Sequence, residues 1–158
     1  MRQHKLSSFV LITLLLLSSN VWAGLGSHKT MYVGGTVPGL KEKTEGVSST
    51  QNADVFLFDY SGGKLSIPYK QVNSLEYGQK AGRRVGMAIA ISPVMLFSKK
   101  RRHYLTVGYL DEAGKQQAAV FELGKDIIRS TLTDLEARTG KKIEYQDEEA
   151  RKSATGKK

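Results

Sequence analysis

Through most of the chain, apolar and polar side chains alternate with the two-residue period of β-strands, and only near the C-terminus does the spacing widen to that of a helix. Residues 30–37 predict a first strand, rich in β-formers and stopped by Pro38-Gly39, with Gly34-Gly35 marking a bulge or sharp bend. Residues 41–45 predict a charged turn, and 46–51 a polar strand suited to a sheet edge. Aromatic and aliphatic side chains run through 53–60, after which Ser61-Gly62-Gly63 turns the chain into 64–67, the pattern of a hairpin. Pro68 ends that strand. Residues 72–77 resume with Val72, Leu75 and Tyr77 as core positions, and their imperfect alternation predicts a bend.

Farther along, 103–109 alternates cleanly, setting Leu105, Val107 and Tyr109 on one face against Tyr104, Thr106 and Gly108 on the other. Turn residues at 111–114 lead into 115–123, where Ala119, Phe121 and Leu123 share a face, so a second hairpin is expected. Ile127, Ile128, Leu132 and Leu135 then recur at helical spacing. Asp126 favours the positive start of that helix and Gly140 supplies its stop. Residues 143–145 predict a short strand, whereas 146–158 hold too few apolar side chains to drive folding and are expected to form a disordered basic tail.

A lone amphipathic helix must bury its stripe. Strands closed by one such helix therefore imply a mainly β domain, a small curved sheet or barrel with the C-terminal helix over an open end. The hairpin across Ser61-Gly62-Gly63, the following Leu65-Ser-Ile-Pro-Tyr-Lys-Gln-Val-Asn-Ser-Leu-Glu and the strand-to-helix step over 121–138 together resemble the pleckstrin-homology-like (PH-like) superfold, which includes GRAM-type and bacterial PH-like domains. The resemblance covers most of 30–145 and implies such a barrel, with an apolar insertion at about 80–102. It carries over no binding residues. The tryptophan usual in the final helix is missing, Trp22 being the only one in the chain, and the spaced Lys and Arg of phosphoinositide-binding members are replaced by Lys41-Glu42-Lys43 with no following arginine. Function has to be read from the residues themselves.

At the N-terminus, Arg2 and Lys5 precede an apolar stretch over 9–17 and then Val21-Trp22-Ala23, which predicts a secretory signal peptide over 1–23 and a single domain over 24–145. Export would place the protein in the periplasm, elsewhere in the cell envelope or outside the cell. The chain has no cysteine, so stability must come from packing rather than from disulfides. Lys and Arg number 24 against 15 Asp and Glu, a formal net charge of +9, and the balance stays basic when the two leader cations are removed. Exported proteins rarely meet nucleic acid. The partners expected are an anionic membrane surface or an acidic envelope protein, with a second copy of the chain as a further possibility.

One stretch is strongly biased. An apolar run over 85–97 stands between Lys80, Arg83 and Arg84 on one side and Lys99, Lys100, Arg101 and Arg102 on the other. With period two, Val85, Met87, Ile89 and Ile91 are large and the residues between them small, as in a strand with one crowded face. With helical spacing, Gly82, Gly86 and Ala90 form a small-residue face. Glycine and alanine favour the helix or a helical hairpin, and Ser92-Pro93 would break or turn it. As a helix, the run reaches about 20 Å, short of a hydrocarbon core of roughly 30 Å, so it suits lying in one leaflet rather than spanning. The residues expected to contact a membrane or partner are Arg83, Arg84, Val85, Met87, Ile89, Ile91, Val94, Met95, Leu96, Phe97, Lys99, Lys100, Arg101 and Arg102. The alternative is that the run completes the barrel core and its cations form a solvated rim.

No catalytic pattern accompanies this stretch. Beyond the leader the chain has His28 and His103, and no His-Glu-x-x-His, Gly-x-Ser-x-Gly or EF-hand sequence. No metal ligand set, cofactor or catalytic residue is expected. His103 follows a run of cations, and like charge nearby should make it harder to protonate. The expectation is a non-enzymatic, exported binding module that associates peripherally with an envelope membrane, or with a protein partner, through 85–97.

Overall fold

The computed structural model describes residues 29–79 and 102–156. Eight strands form one sheet: β1 (Lys29–Gly35), β2 (Thr44–Ser49), β3 (Val55–Tyr60), β4 (Gly63–Pro68), β5 (Val72–Gly78), β6 (Tyr104–Leu110), β7 (Gln116–Leu123) and β8 (Ile143–Tyr145). The helices are α1 (Ile128–Thr139) and α2 (Glu148–Thr155). Spatial order is β4-β3-β2-β1-β7-β6-β5-β8, so a four-stranded meander and a three-stranded meander join through β1 and β7, and β8 adds in parallel to β5. The domain is mainly β with C-terminal helices on a small curved sheet, consistent with the PH-like class.

Aromatic packing shows how strongly the sheet curls. Phe121 on β7 lies three strand steps from Phe56 and Phe58 on β3, roughly 14 Å in a flat sheet. The ring centroids are 5.5 and 5.2 Å apart. One continuous core joins these rings to Tyr32, Ile67, Leu75, Tyr77, Leu105 and Val107, and to Ile128, Leu132 and Leu135 of α1. The helical stripe is thus buried inside the curl. A 3-10 turn at Lys125–Ile127 comes before α1, taking Asp126 out of the α-helix proper, and Gly140 ends the helix with φ 68°.

The bulge expected at Gly34 is present as a register shift between Tyr32 and Gly34 against β7, and the bend near Val72 as a shift between Val72 and Ser74 against β6. Two expectations need correction. Polar strand β2 is not an edge: it lies between β1 and β3. Its inward positions are kept small because the aromatic rings of β3 pack over them. A Cβ on Gly46 would meet the Phe58 ring at 2.8 Å, and the buried Ser48 hydroxyl is satisfied by Thr30 Oγ1 at 2.6 Å.

The tail is the second correction, because 148–155 of the expected disordered 146–158 is helical. Asp147 caps it, accepting from the Ala150 amide at 2.7 Å, and Glu148 and Glu149 complement the positive helix start. Ala150 and Ala154, four apart, are buried in the main core, so two methyl groups on one face suffice when a cap and a prepared surface are supplied. Among the described residues, no helix is long and apolar enough to cross a membrane.

Candidate functional site

The candidate site lies where β5 ends and β6 begins. These strands pair until Gly78 opposite Tyr104, and one residue farther the Arg102 amide donates to the Gln79 carbonyl at 3.5 Å. The described residues that border 80–101 thus meet at one end of the β5–β6 hairpin. Of the predicted contact residues, Arg83, Arg84, Val85, Met87, Ile89, Ile91, Val94, Met95, Leu96, Phe97, Lys99, Lys100 and Arg101 lie outside the described residues. Only Arg102 is placed.

Arg102 differs from the solvated cation its neighbours suggested. Its Nη1 reaches both Glu122 oxygens, at 2.9 and 2.7 Å, and the carboxylate beside it raises the guanidinium pKa further. Glu122 points outward from β7, since Phe121 and Leu123 on either side point into the core. The pair therefore fixes the base of the segment on the outer side of the sheet.

On the other side of the junction is a polar set. Tyr77 Oη lies 2.6 Å from His103 Nδ1 with the rings stacked, and Gln79 Nε2 donates to Ser153 Oγ at 3.0 Å, which ties α2 to the end of β5. Burial pushes the Tyr77 pKa up, and burial followed by the nearby Lys125 charge pushes His103 below the ordinary histidine value of 6.5, with Glu122 opposing. Both shifts favour the neutral phenol and the neutral imidazole. The direction expected from sequence holds, but its causes are burial first and then Lys125, not the preceding run of cations, of which 99–101 lie outside the described residues.

Beside the junction, the outer surface of β1, β2 and β7 forms a shallow concavity of about 510 Å³. Its lining includes Lys29, Met31, Glu45, Val47, Arg102 and Glu122. Val47 is 49% exposed there, which leaves an apolar side chain between charges of both signs. This arrangement suits binding: cations and carboxylates ring apolar surface. Among the described residues, no three of His, Cys, Asp and Glu are grouped to hold a metal ion.

Sequence reasoning missed the Arg102–Glu122 and Tyr77–His103 pairs because each joins residues about twenty or more apart through strand register. The signal for Arg102–Glu122 lay in the second hairpin: once Tyr104 is set opposite Glu122, Arg102 falls next to that carboxylate. No protein-family model and no curated protein matches the chain.

Proposed function

We propose that this chain is a non-enzymatic, exported binding module that attaches peripherally to an anionic envelope membrane through 85–97 and the cations on either side. The observation that supports this reading is in the sequence: an apolar run with cations on both sides lies between β5 and β6, and the described residues that border it, Gln79 and Arg102, meet at the end of that hairpin. Each large apolar side chain of the run would contribute on the order of 1.5–3 kcal/mol if fully buried. Each of the flanking cations would add up to roughly 1 kcal/mol near an anionic surface. Arg102 adds less than its neighbours because Glu122 already compensates it. Export rests on the leader pattern over 1–23.

Co-sedimentation with vesicles containing anionic lipid tests the proposal. Wild-type protein is expected in the pellet and the Ile89→Asp plus Met95→Asp variant in the supernatant. Equal recovery of the two, both folded by circular dichroism, overturns it. A second reading, an assembly module that packs the same segment against an envelope protein or a second copy, draws on the concavity with its exposed Val47. It predicts a stable complex in the absence of lipid.

A further inference from the structure

Where α2 packs beside the turn before α1, two shallow cavities of about 360 and 300 Å³ adjoin, sharing Lys125, Ile128 and Ser153 in their walls. The larger adds Gln79 and His103, and the smaller adds Asp126, Arg129 and Ala154. Hydrogen bonds fix most of the polar side chains. Gln79 Nε2 donates to Ser153 Oγ at 3.0 Å, Arg129 Nη2 donates to the Thr155 carbonyl at 3.0 Å, and Tyr77 Oη lies 2.6 Å from His103 Nδ1. With Nδ1 engaged, Nε2 is the nitrogen that His103 can offer to the cavity, and a phenol proton donated to Nδ1 leaves the neutral ring's own proton there. The polar groups that line the larger cavity are thus an ammonium, an imidazole, an amide and a hydroxyl, with no carboxylate among the described residues.

Lys125 stands in the 3-10 turn that opens into α1, where the helix dipole is positive and neither the turn nor the helix has a side-chain cap. A cation there works against the helix. Its charge also reaches His103, whose protonation it disfavours. Of the nearby carboxylates, Glu122 is compensated by Arg102, and Asp126 lines only the adjoining cavity. A bound anion would turn this arrangement to advantage, meeting the ammonium, the dipole and the hydrogen-bond donors together. We propose that the larger cavity is an oxyanion site that takes a phosphate group, with Lys125 supplying the charge and Gln79, His103 and Ser153 the hydrogen bonds. A phosphate carries several acceptor oxygens on one centre, which suits donors that arrive from separate elements: the end of β5, the start of β6 and α2. The cavity leaves room beyond the phosphate itself, so inorganic phosphate and the phosphodiester of a lipid headgroup both fit its chemistry.

The site needs neither a bilayer nor 85–97, so its failure is distinct from failure of the membrane reading. Titration of the full chain with inorganic phosphate, at constant pH and ionic strength and followed by amide NMR signals, tests the proposal. A saturable shift is expected for the Gln79 side-chain amide and for the main-chain amides of Lys125 and Ser153. Lys125→Gln, at an exposed position, should weaken binding about fivefold or more, the loss expected for a charge-assisted contact. Lys115→Gln removes a cation from the turn at the other end of β6 and β7 and should leave binding unchanged. Shifts that do not saturate, or equal losses from the two substitutions, show diffuse attraction to a basic chain and overturn the proposal. Glycerophosphoglycerol, a lipid headgroup freed of its acyl chains, distinguishes the sources. If it shifts the same signals and binds more tightly than inorganic phosphate, the site is one for headgroups; if it binds equally or more weakly, the free anion is the ligand, and the oxyanion site stands in both cases.

Discussion

The inner and outer faces of β6, β7 and β1 both hold buried side chains, but in different company. Inside, Phe121 touches Tyr32, Phe56 and Phe58 edge-on or tilted, so its burial is explained by Tyr32 opposite it on β1 and by the two β3 rings from the far side of the curl. Outside, Val120 is one residue away and 1% exposed, and among the described residues its cluster consists of side chains of the same sheet face. Burial inside follows from the curl, whereas the outer cluster is small and gives way to the open concavity at Met31 and Glu122. A curled sheet needs only its inner face apolar to close on itself, so the outer cluster is additional to what the curl requires.

Truncation on the two faces is the strongest way to break this comparison. Phe121→Ala should cost about 3–5 kcal/mol, because the ring is central to the inner core and its cavity has no means to collapse. Val120→Ala removes two methyl groups and should cost about 1.6 kcal/mol if the outer face is covered as tightly as its exposure indicates. An uncovered outer position would instead stay within about 0.5 kcal/mol of wild type. Urea unfolding of both variants distinguishes the cases, and a near-zero cost at Val120 would make the two faces unlike after all.

The same comparison explains which parts were legible in the sequence. The inner face announces itself through period two: Leu105, Val107 and Tyr109, then Ala119, Phe121 and Leu123, all land where the alternation puts them. Tyr104 falls on the face opposite Leu105, but period alone does not say that a face is buried twice. Strand β2 misled for the converse reason. Its Gly46 and Ser48 look like edge residues, and they are small because Phe58 occupies the space above them. Helix α2 was hidden by length, since a two-alanine stripe carries too little hydrophobicity to stand out before Asp147 is seen to cap it. Of the candidate site, the charge and apolar bias were plain, whereas the Glu122 partner of Arg102 depended on register.

A pH experiment sharpens the comparison at the junction between the faces. The folded protein holds His103 below its ordinary pKa of 6.5, through burial first and then Lys125, against the opposing pull of Glu122. The unfolded chain therefore takes up a proton near 6.5 while the folded chain does so only at lower pH, and unfolded molecules bind more protons between those values. Stability from this residue is fully present above about 6.5 and declines as pH falls toward the folded pKa. His103→Gln keeps a polar partner for Tyr77 and removes the titration. Its urea midpoint should fall less than that of wild type over the same acid range, and parallel curves would show that the imidazole is not held neutral by its surroundings.

The smallest effect is expected where the outer face meets solvent. Arg102 and Glu122 are partly exposed, so their attraction is screened and shared with water, and Glu122→Gln should cost no more than about 1 kcal/mol, with a loss that shrinks as salt is added. Because each side chain compensates the other, Arg102→Ala combined with Glu122→Gln should cost less than the sum of the two single changes, which a double-mutant cycle by urea unfolding checks; additive losses would show that the two act on the sheet independently.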